Sequence, residues 1–243
     1  MRTRDKGQRK MKKARSFWSK LNKRGKRFFG GIAIIAVLLV VFLVVKVIGL
    51  VQETGKTALE KRESEILSEK YIEERPVLDV QLLEVNPFSR PGEPLDKVNG
   101  IVVHYTANPG TTAQNNRDYF NGLAQSKETS ASSHFVIGID GEIIQCIPCN
   151  EIAYASNNRN SDTIAIECCI PDNTGKFSQE TYDSLLHLTT WLMGQYNLTL
   201  EQVIRHYDIT GKNCPKYFVE HEGAWEQFKL DLLTYVDKNG VSK

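Results

Sequence analysis

A long uncharged run near the amino terminus constrains this chain more than any other feature. Residues 28–45 are eighteen consecutive residues without charge, rich in Ile, Val and Leu, and Lys46 and a second short apolar stretch follow. A membrane-spanning helix needs about 20 mainly apolar residues. A lysine close to its end can extend its ammonium group to the interface. We therefore predict a transmembrane helix over residues 28–51.

A cleaved signal peptide is the alternative interpretation of the same run. The apolar core of a signal peptide is about 7–15 residues long and is followed by a cleavage site of small residues. The run here is longer, and no small-x-small site follows it. These two differences favour an anchor that is retained.

Charge is distributed very unevenly along the chain. Residues 1–27 hold thirteen Lys/Arg and one acid, whereas the remainder holds eighteen Lys/Arg and twenty-eight acids. Basic segments beside a membrane span stay in the cytoplasm, so residues 1–27 are predicted to be a cytoplasmic tail and the rest extracytoplasmic. A nucleic-acid patch is the rival interpretation. Because the charges adjoin the span, we favour topology and contact with anionic lipid, and we expect no nucleic-acid partner.

Two further segments follow the span. Residues 52–75 are a charged stalk with a thin apolar stripe, and the pattern leaves both partial helix and disorder open. Residues 76–243 form the remaining domain, which is large enough to have its own core. Its predicted elements are a strand ending at His104, a helix over 112–125, a hairpin around the Asp140-Gly141 turn, a strand over 163–170, a helix over 178–196 capped by Ser178, and a helix over 224–236.

Two histidines and a cysteine offer a set of metal ligands. His104 ends an apolar run, and residues 206–215 (His-Tyr-Asp-Ile-Thr-Gly-Lys-Asn-Cys-Pro) place Cys214 eight residues after His206. The Gly, Asn and Pro in this segment predict a loop that can return the thiol to the histidine. Three ligands of this kind leave a zinc coordination position open for water. Two core histidines and a buried cysteine are the alternative.

Four motifs in the chain resemble those of the zinc N-acetylmuramoyl-L-alanine amidases, a family that includes phage amidase lysozymes and peptidoglycan recognition proteins. The resemblance extends over roughly residues 86–237. The motifs are residues 104–107 (His-Tyr-Thr-Ala), residues 132–137 (Ser-Ser-His-Phe-Val-Ile) followed by Asp140-Gly141, residues 164–167 (Ile-Ala-Ile-Glu), and residues 206–215.

The resemblance implies a fold, a cofactor and a reaction. The fold is α/β, with a mixed central sheet flanked by helices. The implied zinc ligands are His104, His206 and Cys214, with Glu167 as the catalytic glutamate and Lys212 near the metal. The implied reaction is hydrolysis, by zinc-activated water, of the amide between N-acetylmuramic acid and the L-alanine of the stem peptide.

The chain departs from the family pattern at two places. Many members carry a Trp-His-Ala-Gly-like motif, and the corresponding stretch here runs from Tyr154 to Asn157 without the histidine. Some members have a tyrosine where Ser133 precedes His134. Both differences concern contacts with substrate and leave the zinc ligands intact.

Glu167 and Lys212 have roles that general chemistry supports. A carboxylate in the apolar strand around Glu167 can take a proton from water and pass it to the leaving amine. A cation at Lys212 can stabilise the oxyanion that forms on the carbonyl. A solvent-facing strand residue and an exposed loop lysine are the respective alternatives.

Two more polar residues have weaker assignments. His134 is a candidate for substrate binding or support of the site, with a hydrogen-bonded structural histidine as the alternative. Asp208 is a candidate to orient a ligand imidazole, or it caps a turn.

Four cysteines remain once Cys214 is assigned, and their spacing leaves their state open. One disulfide and small buried thiols are equally compatible with positions 146, 149, 168 and 169.

The sequence thus predicts a single-pass membrane protein with a zinc amidase domain that faces the peptidoglycan of the cell wall. Its oligomeric state stays open. A peptidoglycan-binding module without activity is the second hypothesis, and Cys214 favours the enzyme because recognition-only relatives generally lack that ligand.

Overall fold

The computed structural model describes residues 23–243 and divides the chain into two compact units, Met1–Glu60 and Lys61–Lys243. In the first unit, the large apolar side chains between Val37 and Val51 are 51–64% exposed. They belong to a helix that is long and apolar enough to cross a membrane, with a mean hydropathy of 2.2 over its best window. Of the predicted basic tail, residues 1–22 lie outside the described part of the chain.

The second unit contains a six-stranded mixed sheet with helices packed on it, as predicted. Over the described residues of both units, the helices in chain order are α1 (Lys23–Glu69), α2 (Ala113–Ser126), α3 (Gln179–Tyr196), α4 (His206–Thr210), α5 (Lys216–Glu220) and α6 (Glu222–Asn239). The strands are β1 (Lys70–Tyr71), β2 (Asp79–Val80), β3 (Gly100–Tyr105), β4 (Phe135–Ile137), β5 (Ile143–Gln145), β6 (Thr163–Cys168), β7 (Val203–Arg205) and β8 (Val241–Ser242). Short 3-10 turns cover Asn157–Arg159 and Leu200–Gln202.

The strand order of the large sheet is β2-β5-β4-β6-β3-β7. Only β4 and β5 pair antiparallel, across the predicted Asp140-Gly141 turn, and the other neighbours are parallel. Gly141 has φ +86°, a conformation that glycine adopts without the cost a side chain would add. The central strands β3 and β6 are buried on both sides, which explains their continuous apolar runs.

Side-chain hydroxyl groups cap the amino termini of α2 and α3, two of the helices predicted from the sequence. Thr112 accepts a hydrogen bond from the Asn115 amide at the start of α2, and Ser178 accepts one from the Thr181 amide at the start of α3. Such caps satisfy amides that have no partner within the helix, typically contributing about 1 kcal/mol each. The predicted final helix is longer than 224–236 and runs over Glu222–Asn239.

Stacked aromatic rings connect the short helix α5 to helix α6. Phe218 of α5 stacks on Phe228 of α6 at 5.4 Å between centroids, and Trp225 stacks on Phe228 at the same distance. All three rings are less than 5% exposed, and burial of an aromatic side chain contributes roughly 1.5–3 kcal/mol. The short helix α5, which follows Cys214, is thereby held to the body of the unit.

The carboxyl-terminal strand closes the second unit against the end of α1. Strand β8 pairs antiparallel with β1, and the Lys70 ammonium lies 3.0 Å from the Asp237 carboxylate. Glu63 accepts a hydrogen bond from the Leu200 amide at 2.7 Å. The predicted stalk is therefore helical as far as Glu69, and the compact unit begins at Lys61, ahead of the predicted boundary at residue 76.

Candidate metal centre

Three neighbouring strands bring polar side chains together at one edge of the sheet. In the parallel pair of β3 and β6, His104 is the register partner of Glu167. In the pair of β3 and β7, Val103 is the partner of Arg205, and His206 follows directly. Partners in adjacent parallel strands lie about 4.8 Å apart and point to the same face. His104 thus lies between Glu167 and His206.

A short helix and a turn return Cys214 to this edge. Helix α4 ends at Thr210, and Gly211 follows it as a left-handed cap. Gly211 has φ +77°, and its amide donates a hydrogen bond to the Tyr207 carbonyl. The Tyr207 amide then donates to the Cys214 carbonyl at 2.9 Å. These contacts close the loop that the Gly, Asn and Pro residues predicted, and they place the thiol beside the histidines.

The three predicted ligands converge on one point. One nitrogen of His104, one nitrogen of His206 and the Cys214 sulfur all lie within 4.8 Å of one another. The Cys214 Sγ lies 3.8 Å from His104 Nδ1, and the two imidazole centroids are 4.7 Å apart. Such spacings suit the edges of a tetrahedral site whose metal–ligand bonds are about 2.0–2.3 Å long.

Buried atoms without partners test whether a cation fits this point. Within residues 37–51 and 53–243, His206 Nδ1 and Glu167 Oε2 are among the few buried side-chain atoms with no hydrogen bond. A buried acceptor without a partner costs free energy. Two nitrogens and one sulfur are the donor set that Zn²⁺ favours, and three ligands leave a position open. The residues fit a catalytic zinc.

Burial keeps the ligand groups uncharged unless a cation is present. Burial lowers the pKa of His104 well below its usual value, with further lowering by the charges of His206 and Lys212. Burial also lowers the pKa of His206 and raises the pKa of the Cys214 thiol to about 12. Neutral imidazoles are ready ligands, whereas the thiol loses its proton only when a metal binds it.

The other imidazole nitrogens contact a loop that the sequence analysis did not assign to the site. Ser156 Oγ lies 3.2 Å from His104 Nε2, and Asn157 Oδ1 lies 2.9 Å from His206 Nε2. Both residues belong to the stretch where the chain departs from the family motif. That departure is the one signal in the sequence for these contacts, and by itself it predicts only a change in substrate contacts.

Glu167 lies beside the ligands, with its Oε1 atom 4.0 Å from His104 Nδ1 and its side chain 18% exposed. Burial raises the pKa of this carboxyl to about 7, although the charge of Lys212 opposes the rise. A carboxylate with a pKa near the working pH is suited to take up a proton and release it again. The geometry therefore gives Glu167 the surroundings of a general base.

Lys212 projects from the loop between His206 and Cys214. The residue is exposed, yet its positive charge is close enough to lower the pKa values of His104, His206 and Glu167. An exposed ammonium this close to the three side chains can stabilise negative charge on a carbonyl oxygen held near them.

His134 is fully buried, and both of its ring nitrogens are hydrogen-bonded to the backbone. Its Nδ1 accepts from the Ala165 amide at 3.0 Å, and its Nε2 lies 2.9 Å from the Glu151 carbonyl. These contacts fix a neutral ring that bridges β6 to the loop after β5. These contacts match the alternative of a hydrogen-bonded structural histidine. They leave the ring no nitrogen that is free to bind substrate.

Asp208 also contacts the protein rather than a ligand. Its carboxylate accepts from the Arg205 backbone amide at 2.8 Å and from the Arg205 guanidinium at 2.9 Å. Asp208 thus caps the start of α4 and holds Arg205, which also binds Glu222 at 2.6 Å. This network fixes the helix that carries His206, without contact between Asp208 and either imidazole.

Replacement of His134 by glutamine is expected to remove part of the pH dependence of stability. Burial lowers the pKa of His134 to about 4, against about 6.5 in an unfolded chain. Between these values the unfolded state binds the extra proton, so the contribution of His134 is complete above pH 6.5 and is lost towards pH 4. The loss amounts to at most about 3 kcal/mol.

Thermal unfolding of the two proteins at pH 7 and pH 4.5 measures this effect. The difference in Tm between wild type and His134→Gln should shrink at the lower pH, because only the wild type loses stability through this ring. A difference that is equal at both pH values would contradict the assignment.

All five cysteines of the chain are free thiols in the structure. Cys146 and Cys169 lie in one apolar cluster with Leu83, Phe120 and Val136. Burial raises the pKa of each of these two thiols to about 12. They behave as small apolar side chains in the core, the second of the two alternatives left open by their spacing.

Comparison with known proteins identifies the family. The profile described as N-acetylmuramoyl-L-alanine amidase matches residues 94–217. The amidase CwlL of Bacillus licheniformis is 34% identical over 175 residues, which cover 66% of this chain and 48% of that protein. The amidase BlyA of Bacillus subtilis is 32% identical, with the same two coverages. The chain spans about half the length of these curated relatives.

Solved structures show the same fold. The catalytic domain of XlyA superposes with a TM-score of 0.54 at 28% identity, covering 64% of this chain and 99% of that domain. PlyL gives a TM-score of 0.55 at 26% identity, covering 96% of its chain. With its profile match, its relatives and its mixed α/β sheet, this chain belongs to the N-acetylmuramoyl-L-alanine amidase family.

Proposed function

We propose that the chain is a zinc-dependent peptidoglycan hydrolase, anchored in the membrane, that cleaves the amide between N-acetylmuramic acid and L-alanine. The convergence of His104, His206 and Cys214 beside Glu167 carries this proposal. Family membership supplies the substrate, and the donor set supports the metal. The position of the Cys214 thiol among the histidines favours an enzyme over a module that only binds peptidoglycan.

The residues of the chain divide the chemistry of amide hydrolysis among them. His104, His206 and Cys214 would hold zinc, which when bound supplies an acidified water and polarises the carbonyl. Glu167 accepts the proton that the attacking water loses. It then donates that proton to the amine nitrogen as the carbon–nitrogen bond breaks. Lys212 stabilises the negative charge on the carbonyl oxygen, and the products are a carboxylate and the free amine of the peptide.

Analysis of digested cell walls tests the proposed reaction. The full chain, solubilised in detergent, is incubated with purified peptidoglycan, and the soluble fragments are identified by mass spectrometry. We expect stem peptides with a free L-alanine amine and glycan strands whose lactyl groups end as carboxylates. Cleavage within the peptide or the glycan would contradict the proposal, as would tight binding of peptidoglycan without any cleavage.

The apolar part of α1 supports the anchored location. Its large side chains between Val37 and Val51 are exposed, and exposed apolar surface of this extent is costly in water. In a bilayer the same side chains are favourable, and the basic residues ahead of them orient the amino terminus to the cytoplasm. The catalytic unit would then act on the wall close to the membrane.

Membrane fractionation should therefore recover the full-length protein in the membrane pellet, and high salt should leave it there. Salt weakens contacts with anionic headgroups but not burial of the apolar helix, so detergent is expected to release the protein. Release by salt alone would rule out a retained span. So would a mature amino terminus located after residue 45.

A further inference from the structure

We propose that Ser156 and Asn157 are positioning residues that hold the imidazoles of His104 and His206 with their Nδ1 atoms directed at the metal. The inference rests on the proposed zinc site and deepens it. Each side-chain oxygen lies at the Nε2 atom of one ligand ring, at 3.2 Å for His104 and 2.9 Å for His206. For His104, the nitrogen that contacts Ser156 is not the one that lies near Cys214 and Glu167.

The hydrogen bond from His206 fixes its tautomer. A neutral imidazole has one nitrogen that donates and one that accepts. The side-chain amide oxygen of Asn157, Oδ1, can only accept a hydrogen bond. His206 Nε2 must therefore carry the proton and donate it. His206 Nδ1 then presents a lone pair, and this atom is buried with no hydrogen-bond partner in the protein. With Nε2 bound to Asn157, Nδ1 is the His206 nitrogen that remains free to bind a metal, and one ring nitrogen of His206 lies within 4.8 Å of the Cys214 sulfur.

The Nε2 atom of His104 also has a side-chain oxygen next to it, but this oxygen is the hydroxyl of Ser156. Its Nδ1 atom lies 3.8 Å from the Cys214 sulfur and 4.0 Å from Glu167 Oε1, so this is the nitrogen at the convergence point. Its Nε2 atom lies 3.2 Å from the Ser156 hydroxyl, which can accept a hydrogen bond from the ring and so leave the lone pair on Nδ1. Ser156 is 1% exposed, so water does not compete for this contact.

The loop that carries the two residues is braced in position. Asn160 Oδ1 accepts from the amides of Ala155 and Ser156 at 3.1 and 2.6 Å. Asn157 has φ +54°, a left-handed conformation that asparagine adopts more readily than most residues. The Thr163 hydroxyl at the start of β6 donates to the Arg159 carbonyl. The backbone that carries both side chains is therefore held by contacts within the protein.

This arrangement belongs to the stretch where the chain departs from the Trp-His-Ala-Gly-like motif. The motif has Ala and Gly at the positions of Ser156 and Asn157, and neither offers a side-chain acceptor. This chain has Ala155 where the motif has histidine, and the two residues that follow carry side-chain oxygens within 3.2 Å of the imidazoles of His104 and His206.

Zinc affinity of four variants tests the role, measured on the full chain in detergent by competition with a chelator. Ser156→Ala and Asn157→Gly remove one acceptor each, and glycine tolerates the backbone at 157. Loss of such partners typically weakens metal binding by about 10–100-fold, which is the expected result. Asn157→Asp keeps an acceptor and should bind zinc at least as tightly as the wild type. Asn158→Gly, a change at the next exposed position, should leave the affinity unchanged.

A second measurement reports the ring nitrogens directly. The chain has five histidines, so protein labelled with ¹⁵N-histidine gives a small set of ring signals. In the metal-free wild type, His206 should carry its proton on Nε2, and zinc should shift its Nδ1 signal. In Asn157→Gly, both tautomers of His206 should be populated. A residue that only stabilised the fold would not change this ratio.

The outcomes separate this inference from the proposed function. A wild type that binds no zinc overturns both. A wild type that binds zinc while Ser156→Ala and Asn157→Gly bind it equally well overturns the positioning role alone. Coordination of zinc through the Nε2 atoms would also overturn it, whatever the affinities.

Discussion

Replacement of Glu167 by glutamine is expected to lower the turnover of peptidoglycan by about 10²–10⁴-fold, the contribution that general acid–base catalysis typically makes. Glutamine keeps the size of the side chain but cannot take up the proton of the attacking water. The bound zinc should be nearly unchanged, because the three predicted ligands do not include Glu167. Binding of peptidoglycan should also persist.

Turnover and bound zinc are to be measured on the same preparations, so that loss of metal cannot account for loss of rate. Glu226→Gln is a matched control, because Glu226 is an exposed carboxylate on α6. It should cleave at the wild-type rate. If Glu167→Gln also cleaves at that rate, the assigned proton transfer is wrong.

Regular elements with local signals were predictable from the sequence. Helix α3 begins after the predicted cap Ser178, and the Asp-Gly turn joins β4 to β5. The information for these features lies within a few residues of chain, as hydroxyl acceptors for free amides and as a glycine at positive φ. The bounds of α6 differed because its first and last turns are polar and carry no apolar period.

The cluster of His104, His206 and Cys214 was predicted for a different reason. Spacing alone left His104, His206 and Cys214 as either ligands or core residues, and the family resemblance decided between them. The structure adds the physical cause, since the parallel register of β3 with β6 and β7 places Glu167, His104 and His206 side by side. Register between strands about sixty or more residues apart cannot be read from apolar periodicity.

Contacts between distant segments were beyond the sequence for the same reason. Strands β1 and β8 have two residues each, far too few to show alternation, and they pair because the beginning and the end of the second unit lie side by side. Ser156 and Asn157 lie in a polar loop whose composition fits any turn. Their importance arises from the strands that carry His104 and His206, so only the assembled fold reveals it.

Replacement of Cys214 by serine should remove the zinc and the activity together, in contrast to the effect at Glu167. A thiolate is a strong zinc ligand, whereas the serine hydroxyl keeps its proton and would leave only two imidazoles as firm ligands. We expect less than a tenth of the wild-type zinc after dialysis, an order-of-magnitude expectation based on the affinity lost with weakened coordination. Cleavage should fall below detection.

Cys149→Ser serves as the matched control for Cys214→Ser, because Cys149 is a partly buried thiol that is not one of the converging ligands. It should keep one zinc per chain and full turnover. The fold of Cys214→Ser should survive, since its aromatic core around Phe228 does not involve the thiol, although a buried hydroxyl costs about 1–3 kcal/mol. If Cys214→Ser retains stoichiometric zinc and cleaves peptidoglycan, Cys214 is not a required ligand, and the third protein ligand must be assigned to another residue.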